Sequence, residues 1–190
     1  MEGRLAARIF AVSGRNETRA EAFGALRLPE GWARHGFDWA PDLAALDFAG
    51  QVRRVGAGLR REAWDREVLV LGRSFGAWLV LNALLEQEEP HSGTVVLIAS
   101  ELGYGAGSGL GFMAPRARAF WSEAEHRAGP PARRLVLLHA ADDEHCPCGY
   151  AERLSALWHV PLERFPHGGH ALGKSAHADD VSSVIERWWR

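Results

Sequence analysis

Val68-Leu69-Val70-Leu71-Gly72-Arg73-Ser74-Phe75-Gly76-Ala77 is the stretch whose reading decides the fold. Four consecutive Val and Leu residues ending at glycine suit a strand covered on both faces. From Ala77 to Leu85 the chain is apolar nearly all round, which suits a helix buried against a sheet. Strand, sharp turn and buried helix thus follow one another within this stretch. Outward from it, further apolar runs lie at Arg8–Val12, at Thr94–Ala99, at Leu135–Leu138 and at Pro161–Phe165, with a weak one around Trp32 to Trp39. Amphipathic stripes lie between them: Leu46, Val52, Val55 and Leu59; Ala151, Leu154, Leu157 and Trp158; Val181, Val184, Ile185 and Trp188. Strand–helix alternation of this kind predicts βαβ units with right-handed crossovers, an α/β fold with a mostly parallel sheet of about six strands.

The 190 residues suit one domain over 1–190. Lys plus Arg number 22 against 24 Asp plus Glu, a formal charge of −2. This balance argues against nucleic acid or an anionic membrane as partner, because both demand a surplus of positive charge. No apolar run approaches the ~20 residues that span a bilayer, and the N-terminal apolar run is shorter than a signal-peptide core of ~7–15 residues. The expectation is a cytoplasmic protein. Only two cysteines occur, Cys146 and Cys148, one residue apart. A bridge between them would staple almost nothing, so a disulfide scaffold is excluded.

Gly72-Arg73-Ser74-Phe75-Gly76 fits G-x-S-x-G, and its strand-to-helix setting is the one a nucleophilic serine requires. The serine stands at the apex of the turn, glycines on either side let neighbouring backbone pass closely, and the helix N-terminus aims free N–H groups at the reacting oxygen. A serine hydroxyl needs a base. Of nine histidines, His170 follows the last strand on the glycine-rich turn Pro166 to Leu172, with His167 its competitor. The base in turn needs a carboxylate to hold its tautomer. Asp142 and Asp143 follow the fifth strand and Glu101 ends the fourth. Ser13-Gly14-Arg15-Asn16 ends the first strand, where the backbone N–H of Arg15 could join that of Phe75 in an oxyanion hole.

These blocks resemble the α/β-hydrolase superfamily, in particular its small serine hydrolases. Val68 to Ala77 is similar to the family's strand–elbow–helix, His139 to Pro147 to its H-G-x-x-D-x-x-V-P block, and Pro166 to Leu172 to its P-x-G-G-H ending. Aligning the first His and last Pro of the second block puts the family acid on Asp143. Ala140 and Cys146 depart from that block, and Ser13-Gly14 stands where the family often has H-G. The resemblance implies a single three-layer sandwich without a large cap domain. It further implies hydrolysis of an ester or thioester, with an amide also open, of a small or acyl-chain substrate. The implied route is a Ser74–His170–Asp143 triad and an acyl-enzyme. It implies neither cofactor nor metal.

Other readings compete. His139, Asp142, Asp143, His145, Cys146, Cys148, His167 and His170 are rich in metal-ligand types, but no C-x₂-C or H-E-x-x-H spacing occurs. A non-catalytic binding module for a small molecule or protein on the same scaffold is the main alternative, since fold alone does not fix function. No nucleotide-binding pattern follows the first strand. A glycine-rich, lid-like insertion is expected at about 102–129, where Phe112, Met113, Phe120 and Trp121 hint at an apolar part of the substrate. Trp188 or Trp189 is expected at the surface or in a contact of a homo-oligomer.

Overall fold

The computed structural model describes residues 8–65, 67–102, 114–174 and 177–189. Six strands form one sheet: β1 (Arg8–Val12), β2 (His35–Phe37), β3 (Val68–Arg73), β4 (His91–Ile98), β5 (Ala132–Ala140) and β6 (Leu162–Phe165). Their order across the sheet is β2-β1-β3-β4-β5-β6, and every neighbouring pair is parallel. Among the described residues, five α-helices lie between the strands, α1 (Arg19–Phe23), α2 (Phe48–Glu62), α3 (Phe75–Leu85), α4 (Ala114–His126) and α5 (Cys148–Trp158), and α6 (Ala178–Trp189) follows β6. The direction of numbering reverses at β1, so ligands are expected at the carboxyl ends of the central strands.

The period-2 geometry of strands explains the unbroken apolar runs. In β3, Val68 and Val70 face a core shared with α2, α3, α4 and α5, whereas Leu69 and Leu71 face a second core with α1 and α6. Both faces are covered, which gives the three-layer α/β sandwich the sequence predicts. α2 starts at an Asp47 cap, whose side chain accepts from the Gly50 N–H at 2.7 Å, and it buries Val52, Val55 and Leu59. Leu46 falls outside this stripe: it precedes the cap and is 39% exposed.

The weak second run, read around Trp32 to Trp39, shrinks to three residues of edge strand. Trp32–Arg34 form one tight helical turn before it. Gly36, at φ 120°, passes so close to β1 that a Cβ there would lie 1.9 Å from the Ala11 carbonyl oxygen. Of the lid-like segment at about 102–129, residues 103–113, with Phe112 and Met113, lie outside the described residues. Residues 114–126 form α4, whose Phe120 and Trp121 are buried and pack with Trp78 and Trp158 in the first core. That packing accounts for both aromatics without a substrate. No helix among the described residues is long and apolar enough to cross a membrane.

Candidate active site

The loops after β1, β3, β4, β5 and β6 meet at one end of the sheet, and each carries one of the residues singled out above. Ser74 sits between β3 and α3 at φ 53°, ψ −122°, a backbone state that costs a non-glycine residue about 1–3 kcal/mol. Its amide donates to the Ile98 carbonyl at 3.0 Å, and its carbonyl accepts from Glu101 and Trp78, so the neighbouring strand and helix hold the turn. The flanking glycines are sterically required. A Cβ on Gly72 would lie 2.7 Å from Ala77 Cα, and one on Gly76 would lie 2.3 Å from the carbonyl oxygens of Ser13 and Val12.

Ser74 Oγ lies 2.8 Å from His170 Nε2, and His170 Nδ1 lies 3.1 Å from Asp143 Oδ2. The Asp143 side chain is fully buried, and its other oxygen accepts the amides of His145 and Cys146 at 2.9 and 2.8 Å. Burial pushes this carboxyl up, but the bonds from His170 and Cys146 outweigh it, so its pKa falls below the usual value and the group stays ionised. With Asp143 accepting at Nδ1–H, His170 keeps its lone pair at Nε2, facing the serine. The His145 ring stacks on that of His170, centroids 5.2 Å apart.

The competing candidates lie elsewhere. His167 is largely exposed, with Nδ1 3.5 Å from Asp142. Asp142 accepts the Gly169 N–H at 2.8 Å, a bond that holds its carboxyl below the usual range and fixes the residue next to His170. Glu101 is buried, with Oε1 3.9 Å from an Arg15 guanidinium nitrogen, and burial raises its pKa. The Phe75 amide opens α3 and has no acceptor within that helix. The Gly14 amide is committed to Glu17 Oε1 at 2.8 Å, whereas Arg15 lines the cleft at Ser74 and lays its guanidinium 4.0 Å from the centre of the Phe75 ring.

Sequence reasoning missed a buried ionic cluster beneath the serine. Arg73 donates to both oxygens of Glu17, at 2.8 and 3.1 Å, and also to the carbonyl of His170. Lys174 Nζ lies 2.5 Å from Glu17 Oε2. One carboxylate therefore joins the loops after β1, β3 and β6. The available signal was a full charge at Arg73 inside an otherwise apolar strand and turn. For a metal, the nearest set is Asp143, Cys146 and His170, whose donor atoms lie within 4.8 Å of one another. Two of these already bond each other, and burial pushes the Cys146 thiol far up, away from the thiolate a metal needs. The residues do not suit an ion.

The sequence matches no protein-family model and no curated protein. Solved structures do resemble it. A monoacylglycerol lipase from Paleococcus ferrophilus aligns with TM-score 0.75 at 12% identity, covering 96% of this chain and 93% of that one. A lipase-esterase related protein from Clostridium acetobutylicum aligns with TM-score 0.68 at 13% identity, covering 95% and 93%. An esterase from Rhodococcus sp. aligns with TM-score 0.59 at 14% identity, covering 96% and 91%. At such identities the likeness speaks for the fold.

Proposed function

We propose that this chain, which has the α/β-hydrolase fold, is a serine hydrolase that cleaves an ester or thioester of a small or acyl-chain substrate through an acyl-enzyme. The observation that carries this reading is the continuous hydrogen-bonded chain from Ser74 Oγ through His170 to Asp143, on a serine held at positive φ. That the neighbouring folds include esterases and a lipase supports it.

In this reading each group has a role. Ser74 Oγ attacks the carbonyl carbon while His170 Nε2 takes its proton. The negative charge that develops on the carbonyl oxygen is met by the backbone N–H groups of Phe75 and Arg15, beside the positive end of α3. Asp143, held ionised by its three hydrogen bonds, stabilises the imidazolium. His170 then returns the proton to the leaving group, which departs from the tetrahedral carbon. Water repeats the sequence on the acyl-enzyme and frees the acid and Ser74.

Intact-mass spectrometry after treatment with a fluorophosphonate tests this reading, because such probes capture a serine only when a base and an oxyanion site activate it. One adduct is expected on the native chain, and none on Ser74→Ala or His170→Ala. A folded native chain that takes no adduct would overturn the proposal.

A further inference from the structure

We propose that the substrate carries an anionic group close to its scissile carbonyl, held by Arg15 and Lys174. This inference rests on the hydrolase reading above and names the substrate class of the same site. The cleft over the serine has a volume of about 260 Å³ and is lined by Arg15, Glu17, Arg73, Ser74, His170, Ala171 and Lys174. Arg73 and Lys174 share one carboxylate there, Glu17, and Arg15 lines the same cleft at the place where a substrate must sit. Glu17 serves Arg73 and Lys174 together, so the cluster beneath the serine keeps a positive excess.

The two outer cations are presented to solvent. The Arg15 and Lys174 side chains are 33% and 35% exposed, whereas Arg73 is 3% exposed. Lys174 is the single lysine of the chain, in a protein whose net charge is −2, so the positive cleft stands against the molecule's overall sign. Arg15 is braced for such a role. Its guanidinium carbon lies 4.0 Å from the centre of the Phe75 ring, a contact that holds the group at the cleft. Its acidic neighbour compensates it weakly: Glu101 Oε1 stands 3.9 Å away, beyond hydrogen-bond reach, and finds no hydrogen-bond partner among the described residues. Burial also raises the Glu101 pKa, which disfavours its charged form. Among the side chains that line the cleft, Arg15, Arg73 and Lys174 outnumber Glu17, and a charged Glu101 behind Arg15 would still leave these groups positive. An anion there gains from a site partly withdrawn from water, where screening is weaker than at an open surface.

The test compares matched esters. On the acyl side, 4-nitrophenyl hydrogen adipate is set against 4-nitrophenyl hexanoate. On the leaving-group side, 4-acetoxybenzoate is set against its methyl ester. Spontaneous hydrolysis is subtracted. For at least one pair, kcat/KM for the anionic member should exceed that of its neutral partner by about tenfold at low ionic strength. The ratio should fall as salt rises from about 0.02 to 0.5 M. It should drop about tenfold in Arg15→Gln and in Lys174→Gln and recover in Arg15→Lys. Ratios at or below one for both pairs, insensitive to salt and to these variants, would overturn the anionic class. If neither pair is turned over and the fluorophosphonate leaves no adduct, the hydrolase reading has failed instead. The binding site is then judged separately by calorimetry on Ser74→Ala. There the anionic adipate half-ester should bind about tenfold more tightly than the hexanoate, and equal affinities would dismiss the site.

Discussion

Arg73 brings a full charge into a strand and turn that are otherwise apolar, and it does so directly beside the serine. Burying a guanidinium costs several kcal/mol unless its partners are well placed. Here Nη1 donates to both oxygens of Glu17 and Nη2 to the His170 carbonyl, while Nε finds no partner among the described residues. The arrangement ties the backbone of His170 to the residue next to Ser74, in addition to the bond from its ring to Asp143. It also ties the Arg15 loop to the same anchor, through the Gly14 amide on Glu17. Arg73 is therefore a positioning residue, and the expected signature of Arg73→Met is a fall in kcat of about 10- to 100-fold with KM little changed. Arg73→Lys should recover part of the rate, because one ammonium cannot reach Glu17 and the His170 carbonyl with the same fork geometry. Stopped-flow turnover of a neutral aryl ester, run beside thermal unfolding, reads both quantities. A variant that is only less stable, with kcat per folded molecule intact, would assign Arg73 to stability alone. The arginine itself stood in plain view in the sequence. Its partners did not, because Glu17 and Lys174 lie on loops 56 and 101 residues away in the chain, and only the parallel topology brings them together.

The junction of β3 and α3 is where element geometry and chemistry coincide. β1 runs beside β3, and the start of α3 passes over the end of β1 with no room for a side chain at Gly76. A methyl there meets two backbone carbonyl oxygens, which cannot swing aside as a flexible side chain would. Gly76→Ala must therefore lift α3 from β1, carrying Ser74 and the Phe75 amide out of line. It is expected to cost more than about 2 kcal/mol and to abolish fluorophosphonate labelling. Gly149→Ala is the matching control. It lies in the first turn of α5, and a Cβ there meets nothing within 4 Å, so it should leave stability equal or raise it by up to about 1 kcal/mol. Urea unfolding of both variants decides the matter, and a harmless Gly76→Ala would show that the close approach is not needed. This junction was readable from sequence because its signals are local: four apolar residues, two glycines, then a helix. The edge strand β2 was poorly readable for the opposite reason. Three residues pairing on one side leave almost no hydrophobic pattern, and Gly36 supplies no side chain at all.

At the scale of the whole molecule, the layered fold was legible because strand segments covered on both faces must be apolar, as residues 68–71 of β3, 95–98 of β4 and 135–138 of β5 are. The strand-end positions of Ser74 and His170 were legible from the motifs around them, whereas Asp143 was separated from Asp142 and Glu101 only by its resemblance to the family block. What stayed hidden was which histidines the fold would bury, and these give the molecule a pH dependence of its own. His91 is fully buried between the carbonyl of Ala63 and the amide of Gly93, so it must be neutral, with its proton on Nε2. His139 is 1% exposed and bonds through Nε2 to the Cys146 carbonyl, beneath the turn that presents Asp143. Burial holds both below the ordinary histidine value, outweighing the hydrogen bonds that favour protonation. A folded pKa below the unfolded one means that the unfolded chain binds more protons, so stability falls as pH drops below about 6.5. Glu101 acts with the opposite sign: its folded pKa lies above the unfolded one, and it removes stability as pH rises past 4.5. The Glu101→Gln variant eliminates that opposing contribution. In this background the unfolding free energy from urea titrations should fall from pH ~7.5 to ~5.5, by up to about 1.4 kcal/mol per pH unit for each histidine that takes up a proton. The native chain should show a shallower fall over the same range, and adding His91→Gln should flatten the variant's slope by about one proton. A Glu101→Gln protein equally stable at both pH values would mean that the two imidazoles are already protonated in the fold, contrary to their bonding.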